Sequence, residues 1–142
     1  MTTIEWDDSY SVGIDLIDEQ HKMLLQRFND LSRALKVTRG SAKITKMLDF
    51  MVDYTEFHFS TEEKHMEELG YTGMAYHKKQ HDQFKRTLGL LIEDFQEEGA
   101  TRALSTSINV FLANWLINHF QVVDLEFARF LTEVGFEDSK GS

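Results

Sequence analysis

The sequence predicts an all-α fold, an up-down-up-down four-helix bundle with an N-terminal extended arm, and three observations lead there. Four segments repeat apolar residues or histidines at alternating steps of three and four, the period of one helix face. Glycines stand between the segments, where short turns are needed, and the chain contains no proline. The 142 residues fit one domain, 1–142, able to bury roughly two-thirds of the surface its unfolded chain exposes, so its core needs no covalent staples.

The arm, residues 1–17, carries Trp6, Tyr10, Val12, Ile14, Leu16 and Ile17 without clean helical spacing, and is expected to pack on the bundle by its aromatics. A first helix over about 18–38 takes Asp18 as its cap and presents Ile17, His21, Leu24, Phe28, Leu31 and Leu35, with Gly40 as the stop. A second, about 41–69, begins at a capping Ser41 and lines up Ile44, Met47, Met51, Tyr54, His58, Glu62, His65 and Leu69 before Gly70. A third, about 73–98, takes Thr72 as its cap and turns Met74, His77, His81, Phe84, Leu88, Leu91 and Phe95 inward, ending before Gly99. A fourth, about 101–134, carries Leu104, Ile108, Phe111, Trp115, His119, Val122, Phe130 and Val134, with Gly135 beyond it. The tail, 136–142, is expected to be disordered.

Composition narrows the chemistry. With no cysteine, any metal site must use His, Asp and Glu, and neither a disulfide nor a thiol nucleophile is available. The net charge of −9 argues against a broad electrostatic surface for nucleic acid or anionic lipid. The acidic start, MTTIEWDDSY, lacks the features of a signal peptide, and no apolar run approaches about 18 residues, so no membrane association and a cytoplasmic location are expected.

Five of the six histidines fall on the predicted inward stripes: His21, His58, His77, His81 and His119. One buried histidine is ordinarily a hydrogen-bonded core residue. Five in one apolar interior would leave too few donors and acceptors for their ring nitrogens, unless a metal takes a lone pair from each. Glu62 lies one turn beyond His58 on the same stripe, and an inward Glu is rare unless paired or bound to a cation. Asp124 lies five residues beyond His119, about 140° around an ideal helix, so both reach one centre only through a local π-type widening or a tilted approach. Otherwise Asp124 is a solvated surface residue. Five imidazoles and two carboxylates exceed one tetrahedral zinc and suit two transition-metal ions, iron first, with carboxylate bridges. Glu63 reads as ordinary exposed surface, His65 as a partly exposed or hydrogen-bonded histidine outside the set, and Met47, Met51, Met66 and Met74 as core filler.

The set His21, His58-x-x-x-Glu62, His77-x-x-x-His81 and His119-x-x-x-x-Asp124 resembles the hemerythrin family. The opening Trp6, Tyr10, Val12-Gly13-Ile14 and Ile17-Asp18-x-Gln20-His21 looks like its bacterial branch, the bacteriohemerythrins. The resemblance spans about residues 4–136. It implies two iron ions bridged by Glu62, Asp124 and an oxo or hydroxo group, with His77, His81 and His119 on one ion and His21 and His58 on the other. It also implies an oxygen pocket walled by Leu24, Phe59, Trp115, Leu116 and Phe120.

The expected function is therefore reversible dioxygen binding, serving carriage, storage or delivery, rather than enzymatic turnover. The alternative uses the same site as the oxygen or redox sensor of a signalling protein. A di-iron oxidase ranks last, because such bundle sites are carboxylate-rich with Glu-x-x-His pairs, whereas this set is rich in histidine.

Overall fold

A computed structural model describes residues 4–37, 41–99 and 101–136, and every regular element in it is helical. Helix α1 spans Asp15–Val37, α2 Ser41–Leu69, α3 Met74–Glu98 and α4 Arg102–Asn118. The chain then makes a π turn over His119–Asp124 and continues as α5, Leu125–Glu133, so the fourth rod of the bundle has three consecutive parts. Each rod packs on the next, and α4 returns to pack on α1, which closes the ring around one interior.

The arm is shorter than the sequence suggests. A 3-10 turn occupies Asp8–Tyr10, and α1 starts at Asp15 rather than at 18. The cause is Asp18, which does not cap the helix. Its carboxylate lies in the first turn and accepts hydrogen bonds from the Val12 backbone N–H at 2.9 Å and the Ser11 hydroxyl at 2.6 Å, tying the arm back onto the helix. Gly13, at φ 83, supplies the left-handed conformation that makes the reversal. Ile4, Trp6 and Tyr10 pack against the main core, as the aromatics of the arm suggest.

Helix ends follow local chemistry. Thr101 accepts a hydrogen bond from the Leu104 N–H at 3.1 Å and caps α4. Thr72 does not cap α3; Gly73 holds that position and offers no side chain. Gly70 ends α2 at φ 68, and the Tyr71 N–H reaches back to the Met66 carbonyl at 2.9 Å, the closure a left-handed residue permits. The expected Gly40 stop and the tail beyond Phe136 lie outside the described residues.

Two apolar layers sit along the bundle axis. The larger gathers Leu24, Phe28, Phe59, Phe84, Leu116 and Phe120 with many neighbours, and the smaller holds Ile14, Ile17, Met66, Phe127, Ala128 and Leu131. Along every rod, the residues that separate the two layers are polar and buried. Three positions expected on inward stripes, Leu69, Val122 and Val134, are instead exposed. Leu69 ends its helix, while the π turn advances the register so that Val123, Phe127 and Leu131 face inward in place of the Val122 line.

Candidate metal centre

The polar layer consists of His21 from α1, His58 and Glu62 from α2, His77 and His81 from α3, and His119 and Asp124 from the two ends of the π turn. None is more than 2 % exposed. The four-residue spacings put His58 over Glu62 and His77 over His81 on single helix faces. The π turn does the same for His119 and Asp124, whose five-residue spacing an α-helix would splay apart. Asp124 is thus a core residue.

The five imidazoles present Nε2 to the two carboxylates. Asp124 Oδ2 lies 2.7 Å from His21 Nε2, and Oδ1 lies 2.9 Å from His77 Nε2 and 3.0 Å from His119 Nε2. Glu62 Oε1 is 3.4 Å from His58, 3.5 Å from His77 and 3.3 Å from His81, each at Nε2. Only the His21–Asp124 contact is aligned as a hydrogen bond. Nε2 of His58, His77, His81 and His119, both Glu62 oxygens and Asp124 Oδ1 are buried with no hydrogen-bond partner. Each such orphan costs about 1–3 kcal/mol, a penalty that a fold tolerates at a site built to bind something.

The donors fall into two overlapping groups. Glu62, His77, His81, His119 and Asp124 offer ligand atoms within 4.8 Å of one another, and so do His21, His58, Glu62 and Asp124. The two carboxylates belong to both. Donors from seven residues converging this way, free of hydrogen bonds apart from the His21–Asp124 pair, fit two divalent or trivalent transition-metal ions.

The electrostatics prepare the donors unevenly. Burial drives His21 down to about 4, against the pull of Asp124, and together with neighbouring imidazoles it also depresses His81. Burial lowers His119 too, which favours the lone-pair form of all three rings. Burial would raise Asp124, but the imidazoles of His119 and His21 in close contact with its carboxylate hold it well below the usual carboxylate range. Burial and the Asp124 charge push Glu62 up to about 7. At His77 burial is outweighed by the carboxylates of Asp124 and Glu62, 2.9 Å and 3.5 Å from its Nε2, and the ring rises to about 10. Without a cation the layer holds protons in its place.

Outer atoms fix the rings. His58 Nδ1 donates to Gln20 Oε1 at 2.6 Å, and His81 Nδ1 donates to Glu63 Oε2 at 2.8 Å, which leaves each Nε2 as the lone-pair end. The sequence reading missed both partners and placed Glu63 on the exposed surface; the structure half-buries it against His81. A polar residue directly beside a member of the cluster in the chain, Gln20 before His21 and Glu63 after Glu62, was the only available signal. Aromatic rings brace three imidazoles face to face: Phe120 on His21 at 3.7 Å, Phe59 on His81 at 3.9 Å and Trp115 on His119 at 4.3 Å between centroids. Leu24, Phe59, Leu116 and Phe120 are fully buried beside the layer, and Trp115 is partly exposed. His65 stays outside the cluster, partly buried with its ring edge-on to Phe136.

Residues 12–131 match the Hemerythrin family, described as the hemerythrin HHE cation binding domain. The chain belongs to the hemerythrin family. Among hemerythrins, it is 34% identical over 128 residues to the bacteriohemerythrin of Stenotrophomonas maltophilia (strain R551-3), a match covering 90% of this chain and 81% of that protein. The myohemerythrin of Sipunculus nudus is 31% identical over 122 residues, covering 86% and 88%. The crystal structure of a wild-type hemerythrin superposes with a TM-score of 0.82 at 28% identity, over 92% of this chain and 99% of that one. Like that structure, the hemerythrin described here is a bundle of helices, and none of its described helices is long and apolar enough to cross a membrane.

Proposed function

We propose that the chain, acting as one domain, holds two iron ions in the polar layer and uses them to bind dioxygen reversibly. The observation that carries this reading is the pair of overlapping donor groups that share Glu62 and Asp124. His77, His81 and His119 would hold one ion and His21 and His58 the other, with Glu62, Asp124 and a solvent-derived oxo or hydroxo group bridging. Bound there, the iron pair would supply a reducible centre that takes up and releases dioxygen.

The chain's own residues set the conditions for that chemistry. Three imidazoles against two leave the His21–His58 side with fewer donors and hence room for a small ligand. Asp124, held ionised, and Glu62, ionised once a cation displaces its proton, supply two negative charges that offset the metal charge inside a dry interior. Leu24, Phe59, Leu116 and Phe120 exclude water, and among the expected pocket walls only the Trp115 indole carries a polar hydrogen. Hydrogen bonds from His58 to Gln20 and from His81 to Glu63 keep those rings from turning when the charge of the centre changes.

The test is to load the protein with iron, reduce it without air, and record the visible spectrum while oxygen is added and removed. A charge-transfer band that appears and vanishes over repeated cycles supports oxygen carriage. Rapid one-way oxidation favours the sensor reading, and uptake of a single ion overturns the iron pair.

A further inference from the structure

The outer face of α3 is a cationic patch on an acidic protein. Residues 78–86 hold Lys78, Lys79, Lys85 and Arg86 against the single carboxylate of Asp82, a local net of +3 in a chain of net charge −9. All four cations are exposed. Lys85 is engaged, 3.2 Å from Glu56 and 3.8 Å from Asp82, but Lys78, Lys79 and Arg86 form no ion pair among the described residues. Two shallow depressions meet here. One is lined by Ala75, Lys78, Lys79, Asp82, Gln83 and Arg86. The other, sharing Gln83 and Arg86, runs across to α4 and reaches Phe111 and Trp115.

Trp115 gives the patch a direction. One part of its indole lines the surface depression, and the ring stacks on His119 inside, 4.3 Å between centroids at 14°. The helix that carries the cations outside carries His77 and His81 on its buried face. A charged partner seated on the patch is therefore separated from the donor cluster by one helix and one indole.

We propose that this face docks a small acidic one-electron carrier protein, which returns the oxidised centre to its ferrous state by way of Trp115 and His119. The proposal rests on the iron-pair reading given above. In each encounter the carrier loses one electron and one ferric ion becomes ferrous, so two encounters restore the pair, and no bond is made or broken at the surface. Opposite charge would steer the encounter, and a partly exposed Trp beside an Arg is the kind of contact that anchors a small, transient interface. The acidic remainder of the chain disfavours a long polyanion or a membrane as the occupant, because either would extend beyond the patch onto repelling surface.

The probe is a reduced plant-type [2Fe–2S] ferredoxin, labelled for fluorescence anisotropy and mixed with the oxidised, iron-loaded full chain. Replacing both Lys79→Glu and Arg86→Glu should raise Kd about tenfold and slow ferredoxin-driven reduction about as much. Reduction by dithionite and the reversible oxygen band should not change in that variant. For the wild-type chain the ferredoxin rate should fall steeply as salt rises from roughly 0.01 M to 0.15 M. Trp115→Leu should raise Kd and also slow reduction severalfold at saturating ferredoxin, and an unchanged saturating rate would overturn the Trp115 route. A double variant that binds and accepts electrons like wild type, or a wild-type chain that captures anionic vesicles but not ferredoxin, overturns the docking site. Failure of the iron pair itself would appear as a missing oxygen band, whereas anisotropy reads docking on the same chain independently.

Discussion

Glu63 Oε2 accepts a hydrogen bond from His81 Nδ1 at 2.8 Å, whereas the corresponding nitrogen of His58 meets an amide oxygen, Gln20 Oε1, at 2.6 Å. One inner ring is thus backed by a carboxylate and another by a neutral group. The carboxylate makes His81 the more electron-rich donor and strengthens its hold on a cation. Glu63→Ala should accelerate metal loss to a chelator roughly 10–100-fold, and Glu63→Gln, which keeps an acceptor, should do so less. Chelator-release kinetics decide the matter, and equal rates in all three proteins would remove Glu63 from any such role.

Glu62 and Asp124 are the two residues common to both donor groups. Replacing either with alanine should leave a chain that holds fewer than two ions or an uncoupled pair. Iron stoichiometry with magnetic susceptibility measures this directly, and a magnetically coupled pair in both variants contradicts the bridging assignment.

Metal-free stability should peak near neutral pH. Burial holds His21 down at about 4 when folded, while the unfolded imidazole protonates near 6.5. Its stabilising contribution is complete above 6.5 and is lost as pH falls from there through about 4, on the order of 3 kcal/mol. His77 acts in the opposite sense: raised to about 10, it stabilises fully below 6.5 and loses its contribution as pH climbs through about 10. Thermal melts of the chelated protein across pH 4.5 to 9.5 should trace a dome, and a Tm that rises monotonically across the range would refute the assignment.

Deleting Val122, an exposed residue inside the π turn, should let the fourth rod run as a regular α-helix. Asp124 then follows His119 by four residues, the spacing that sets Glu62 over His58, so it stays on the cluster and Phe127 stays in the smaller apolar layer. Far-UV circular dichroism should stay helical and the paired iron should be retained. Loss of the paired iron from the deletion variant would show that the π turn itself, rather than the face it presents, positions Asp124.

These outcomes bear on how much was legible in the sequence. The stripes of α2 and α3 exposed His58, Glu62, His77 and His81 because a regular helix repeats its faces, and spacing alone then fixes which residues meet. Asp124 was ambiguous for the converse reason: its position depends on a turn that breaks the repeat, and nothing in HFQVVD announces a π turn locally. Asp18 looked like a cap because Asp commonly is one; only the folded arm shows that its oxygens serve Val12 and Ser11. Gln20 and Glu63 were unreadable as partners, since each acts across to a neighbouring helix, a relation that periodicity within one helix does not encode.

The three aromatic rings laid flat on His21, His81 and His119 have a consequence for how metal enters. A free imidazole surrenders rotational entropy when it ligates an ion. Here that loss is incurred when the chain folds, because the stacked rings already forbid the flips. Arriving ions meet a rigid socket, so selection among them falls to size and charge rather than to remodelling of the protein.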